Sequence, residues 1–151
     1  GKSVDFTLSK AEKYLVLLFV SARCPCSARH RGVVNELAVR FSQDGFRFLA
    51  IHSNQNETEE EGRGFFGENP YAFPVLRDGG AEIARHLGAL KTPHVFVFDR
   101  RETILYQGGV DNSVNPKGAT EFYLKNALEA VVLGKRVDPS STRTLGCLIS
   151  R

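Results

Sequence analysis

Two kinds of hydrophobic pattern alternate along this chain. Leu15 to Val20 is an unbroken apolar run of strand length. After it, Val33, Val34, Leu37, Ala38 and Phe41 recur at helical spacing, which predicts a helix from about 26 to 43, ended by Asp44-Gly45. Phe46 to His52 alternates imperfectly and predicts a second strand. Thr58 with Glu61 forms a capping-box pattern, so a polar helix is expected from there to about Phe66, although Gly62 and Gly64 weaken it. The run Glu57 to Glu61 reads as a solvated helix start. Phe73 to Leu76 is a short extended piece, and Asp78 predicts the cap of a helix over 79–87, ended by Gly88. Val95 to Phe98 is a buried strand. Asp99 to Glu102 turns it back into Thr103 to Gln107. A last helix is expected over 117–133, with Phe122, Leu124, Leu128, Val131 and Val132 as its apolar positions.

The order βαβα(β)αββα predicts an α/β fold. A central mixed β-sheet would be flanked by helices, with parallel strands first and an antiparallel hairpin last. Residues 1–133 form the expected domain, and 134–151 an extended C-terminal tail that packs on it. Fourteen residues separate Leu133 from Cys147. At roughly 3.3–3.6 Å per extended residue such a tail reaches over about 45 Å. A domain of this size has a radius of gyration near ~15 Å. The tail is therefore long enough to reach any surface of the domain.

Composition narrows the function classes. The net charge is +3 and the basic residues are scattered, so no stripe for nucleic acid is present. No apolar run approaches the ~20 residues of a membrane span. The apolar fraction of 42% supports a core without disulfide staples. The chain starts at Gly1 and contains no methionine, which suggests a removed N-terminal segment and slightly favours a periplasmic or secreted setting.

Chemistry concentrates at Cys24-Pro25-Cys26, where the first strand meets the first helix. Proline suits a helix's first turn. A cysteine there has its sulfur near unpaired N–H groups and the positive end of the helix dipole, which favour thiolate. Arg23, Arg29, His30 and Arg31 add positive charge nearby. Cys26 is a second thiol one residue on from Pro25. A disulfide across Cys-x-Cys closes only with strain. Cys147 is the third cysteine, set among apolar Leu145, Leu148 and Ile149, so the chain end is expected to dock. His30, His52 and His86 read as packing or surface residues, with His30 one turn beyond Cys26.

Several motifs resemble the redoxin branch of thioredoxin-like proteins, the AhpC/TSA-like and peroxiredoxin-like group. Val4-Asp5-Phe6-Thr7-Leu8 resembles its opening, and Thr92-Pro93 before Val95 to Asp99 resembles the segment carrying its cis-proline. Tyr106 to Asp111 and Thr144 to Ile149 resemble stretches of a peroxiredoxin-like subfamily ending in Gly-Cys. The resemblance implies a thioredoxin-like fold, a redox-active cysteine, and a substrate groove shaped by Thr92 and Pro93. Departures accompany it. Ser27 stands where thioredoxins have their second cysteine, and Leu18 where they have a buried acid. Ser21 matches the peroxiredoxin hydroxyl position, but Leu17 replaces its proline and Pro93 its arginine.

Three readings follow. The leading one is a thiol–disulfide oxidoreductase, with Cys24 as nucleophile and Cys26 or Cys147 as resolving thiol. Ser21 and Arg23 would tune the thiolate. Its partner is a protein or small-molecule disulfide or thiol, and it requires no cofactor. The second is a Cu(I)- or Zn(II)-binding module built on Cys24, Cys26, His94 and Cys147. The third is a peroxiredoxin-like antioxidant peroxidase with Cys24 oxidised to sulfenic acid.

Overall fold

The computed structural model describes residues 6–151, so Val4 and Asp5 of the opening motif lie outside the described residues. The chain forms β1 (Tyr14–Val20), α1 (Pro25–Ser42), β2 (Phe46–His52), α2 (Glu59–Glu68), β3 (Val75–Arg77), α3 (Glu82–Leu87), β4 (Lys91–Thr92), β5 (His94–Asp99), β6 (Ile104–Gly108), α4 (Tyr123–Val132) and β7 (Cys147–Leu148). Five strands make one mixed sheet in the order β3-β2-β1-β5-β6. β1, β2 and β3 run parallel to one another, while β5 is antiparallel to β1 and β6 to β5.

β1 is an unbroken apolar run because both faces of the sheet are covered. Val16, Leu18 and Val20 join Val34, Leu37, Ala38 and Phe41 of α1 and Leu124, Ala127 and Leu128 of α4 in one core. Leu15, Leu17 and Phe19 point the other way, onto Ala84 of α3, Phe96 and Ile149. The architecture is a three-layer α/β fold with a mixed sheet, as expected from the order of elements, and it is the thioredoxin-like fold that the resemblance implied.

Two helices depart from the sequence pattern. The last begins at Tyr123, not 117, because Asn115-Pro116-Lys117-Gly118 closes a separate 3₁₀ turn and the Asn112 side chain holds Thr120 and Glu121 in a loop. Phe122 and Val132 are consequently exposed. The helix expected from 79 starts at Glu82. Gly80 and Ala81 turn through left-handed backbone conformations, at φ 72° and 52°. Asp78 still caps it, its carboxylate accepting from the N–H groups of Ile83 and Ala84 at 3.1 and 3.0 Å. α2 is capped as the sequence suggested, Thr58 accepting from the Glu61 N–H at 3.0 Å. Gly62 belongs there because a Cβ would sit 2.7 Å from the His52 ring.

The segment after α4 returns along the free edge of β6. Thr142 N–H donates to the Gln107 carbonyl, and the Thr142 hydroxyl meets Tyr106 Oη at 2.7 Å. The chain then crosses to β4, where β7 pairs with it antiparallel, placing Thr92 opposite Cys147.

Candidate active site

β1 delivers the chain into the loop Ser21 to Cys24 at the carboxyl edge of the sheet, where open α/β folds place their ligands. Cys24 is the N-cap residue of α1 and Pro25 its first residue. The Cys24 sulfur is 3% exposed and lies 3.5 Å from the Thr92 carbonyl. The Thr92–Pro93 peptide is cis.

The sulfur's surroundings favour the anion. Burial pushes the Cys24 thiol up, but hydrogen bonding from the Cys147 side chain, the Ser27 N–H of the first helical turn and the Thr92 hydroxyl outweigh it. The net shift is below the ordinary thiol value of 9.0. Thr92 Oγ1 is buried without a hydrogen-bond partner, so its hydroxyl is free to turn toward a Cys24 thiolate. Cys26 and Cys147 move the other way. Burial pushes Cys26 up to about 11, and partial desolvation together with the adjoining Cys24 pushes the exposed Cys147 up to about 11, so both are held as thiols. All three cysteines are unpaired.

The Cys26 sulfur lies 3.7 Å from the Leu145 carbonyl and 3.8 Å from His30 Nδ1. His30 is buried; Nδ1 meets the Cys26 carbonyl at 2.7 Å and Nε2 lies 3.0 Å from both oxygens of Asp111. Both ring nitrogens therefore face acceptors, which ties the first turn of α1 to the loop after β6.

Below the loop lies a polar cluster. Glu57 was expected in a solvated helix start, but it is 2% exposed. It stands outside α2, just before the Thr58 cap, so its side chain is free to turn inward. One carboxylate oxygen accepts from the Ser21 hydroxyl at 2.5 Å; the other accepts from the Ala22 N–H and from His52 Nε2, both at 2.8 Å. Ser21 Oγ in turn accepts from the N–H groups of Arg23 and Cys24, each at 3.2 Å. Burial pushes Glu57 up, but its hydrogen bonds from Ser21, Ala22 and His52 outweigh it and leave it below the usual carboxylate range. Arg77 donates to His52 Nδ1 at 3.2 Å. An arginine has no acceptor, so Nδ1 carries no hydrogen and Nε2–H donates to Glu57. Burial keeps this ring neutral by lowering its pKa.

The other predicted residues divide. Ser21, Cys24, Thr92, Pro93 and Cys147 come together. Arg23 does not join the sulfur: its guanidinium makes a two-pronged pair with Glu61 at 2.7 and 3.0 Å. His94 stacks on Phe96 and shares Nε2 with Gln107 at 3.1 Å. Among the described residues, no three His, Cys, Asp or Glu side chains are grouped to hold a metal ion. Glu57 and His52 were missed by sequence reading.

A thioredoxin-like fold with a buried, anion-favouring cysteine at the first strand-to-helix corner, facing a cis-proline, defines a thiol-redox class of site. The chain belongs to the Redoxin family, whose description matches residues 1–123. A hypothetical protein from Sinorhizobium meliloti is 31% identical, with 93% of this chain and 80% of that one covered and a TM-score of 0.81. An uncharacterized conserved protein from Geobacillus kaustophilus is 28% identical over 93% and 78%, with a TM-score of 0.82. A secreted disulfide oxidoreductase from Mycobacterium tuberculosis shares the fold at 18% identity, 78% and 81% coverage and a TM-score of 0.60. No curated protein matches the sequence. Among the described residues, no helix is long and apolar enough to cross a membrane.

Proposed function

We propose that this protein is a thiol–disulfide oxidoreductase in which Cys24 attacks and Cys147 resolves. The observation that carries this is the β4–β7 register, which sets Cys147 opposite Thr92, the residue whose carbonyl lies 3.5 Å from the Cys24 sulfur. Cys24 thiolate attacks one sulfur of a substrate disulfide. A mixed disulfide forms and the second substrate sulfur leaves with the bond's electron pair. Cys147, having lost its proton, then attacks the Cys24 sulfur. The substrate's remaining sulfur leaves as thiolate, and the enzyme is left with a Cys24–Cys147 disulfide. Two electrons have passed from the enzyme to the substrate. Such a disulfide suits an oxidising, extracytoplasmic setting.

The roles of the remaining groups follow from their contacts. Ser21 and Glu57 fix the loop that presents Cys24, and Thr92 supplies a hydroxyl to the anion. Cys26, held toward Leu145 and His30, anchors the first turn of α1.

Peptide mapping of the oxidised protein tests the assignment. A Cys24–Cys147 link is expected, with Cys26 alkylatable after unfolding. In Cys147→Ser the mixed disulfide with substrate accumulates on Cys24, and in Cys24→Ser turnover disappears. A Cys24–Cys26 link, or turnover surviving in Cys24→Ser, overturns it. Hydroperoxide consumption is measured alongside, and a rapid, saturable, Cys24-dependent rate would move the assignment to a peroxidase.

A further inference from the structure

We propose that β7 occupies the edge on which an extended polypeptide would dock, and that while docked it restricts Cys24 to low-molecular-weight disulfides. This rests on the oxidoreductase reading above. β4 is only two residues long and lies outside the five-stranded sheet; its strand partner is β7. The Thr92 carbonyl is 3.5 Å from the Cys24 sulfur. Any strand that pairs with β4 therefore brings the residue opposite Thr92 to that sulfur. In this structure the residue is Cys147. A polypeptide disulfide docking by strand addition would need the same backbone groups.

The tail is clamped rather than laid loosely across the site. The Ile149 N–H donates to the Leu90 carbonyl at 2.7 Å, and the Gln55 N–H donates to the Ser150 carbonyl at 2.9 Å. The Ile149 side chain is buried with Leu15, Leu17 and Phe96, whereas Leu148 is 71% exposed. Gly146 sits at φ +144°, and a Cβ there would collide with the Thr92 carbonyl. The backbones have approached as closely as glycine permits. Beneath this clamp Cys24 is almost inaccessible.

A small disulfide has only to displace the Cys147 side chain. A polypeptide must first open the β4–β7 ladder. Its apparent reactivity is then lowered by the fraction of molecules in which that edge is free. The chemical step is the same for both: Cys24 sulfur bonds to one substrate sulfur and the other leaves as thiolate.

The test compares rate constants for mixed-disulfide formation at Cys24. The probes are glutathione disulfide and a short extended peptide whose single cysteine is linked to glutathione. Each is measured in the unaltered chain, in Ile149→Asp and in Gly146→Ala. Using the ratio of the two rates cancels any change in the thiolate fraction. Glutathione disulfide is expected to react at least about tenfold faster in the unaltered chain. Either variant is expected to raise the peptide rate about tenfold and leave the glutathione rate within about twofold. The glutathione rate also reports that each variant is folded. Equal rates in the unaltered chain, or a ratio unchanged in both variants, would overturn the gate alone. Failure of Cys24 to react with either probe in any form would overturn the oxidoreductase reading with it.

Discussion

Cys26 and Cys147 are both protonated thiols near Cys24, each pushed up to about 11, yet they stand in opposite relations to it. Cys26 is two residues away along the chain, and its sulfur meets the Leu145 carbonyl and His30. Cys147 is at the far end of the chain, yet it pairs opposite Thr92, whose carbonyl lies 3.5 Å from the Cys24 sulfur. Helix geometry explains the first. Cys24 caps α1 while Cys26 already lies inside its first turn, so the two side chains leave the backbone in different directions. Strand register explains the second, since pairing with β4 places one tail residue against the sulfur. Nearness in sequence is therefore a poor guide to which thiol pairs beside Thr92.

Single alanine substitutions break or sharpen that contrast most directly. Cys147→Ala is expected to lower steady-state turnover by about two orders of magnitude or more, because the mixed disulfide has no internal thiol to release it. Cys26→Ala is expected to leave turnover near that of the unaltered chain. Steady-state assays with a small disulfide, and a dithiol that reduces the enzyme disulfide back to two thiols, decide it, and the reverse ranking would assign resolution to Cys26.

The contrast depends on a rigid platform under Cys24, which Glu57 supplies. Glu57→Ala leaves the Ser21 hydroxyl, the Ala22 N–H and His52 Nε2 without their acceptor in a buried place. The expected cost is about 3 kcal/mol of folding stability, measured by denaturant unfolding. Arg23→Ala is expected to leave stability almost unchanged, because its pair with Glu61 is exposed to solvent. Equal costs would show that the buried cluster does not carry the loop.

How much of this was legible beforehand depends on where each signal lies. The β1 run, the α1 stripe and Cys24 before Pro25 are local patterns, and they led to the sheet, the helix on its face and the reactive corner. The start of α4 was not legible from periodicity, since Phe122 continues the apolar spacing while Asn112 and Asn115 hold the preceding residues in turns. The Glu57 cluster was hidden for another reason. Its partners Ser21, Ala22, His52 and Arg77 come from three separate stretches of sequence, and a run of acids looks solvated until the fold gathers them. Arg23 erred in the opposite direction: charge close in sequence to the sulfur was taken by Glu61.

Acid should reveal the platform before it reaches the catalytic pair. His52 has its folded pKa lowered, chiefly by burial, so the unfolded chain takes up its proton first as pH falls below 6.5. Stability is full above that value and declines as pH drops toward the folded value. Glu57 is also lowered in the folded state, by its hydrogen bonds, and adds a further loss below 4.5, its unfolded value. Both effects have the same sign. Thermal unfolding followed from neutral to acid pH is expected to show a falling midpoint, and in His52→Gln the loss between 6.5 and 4.5 is expected to shrink. An unchanged slope there would remove His52 from the account.

The smallest effect is the most selective. Cys24 is held below the ordinary thiol value against burial, and the Cys147 side chain is the largest of the contributions that lower it. Cys147→Ala removes that donor, so the pH midpoint for iodoacetamide alkylation of Cys24 should move up. Cys147→Ser restores a hydroxyl donor and should bring the midpoint part of the way back. Cys26→Ala should not raise it, because Cys26 donates to Leu145 and not to this sulfur. Partial rescue by serine separates hydrogen bonding from mere loss of the docked strand, since the strand's backbone pairing is the same in both variants. If alanine and serine give the same midpoint, Cys147 reaches Cys24 only as a resolving thiol and has no part in preparing its anion.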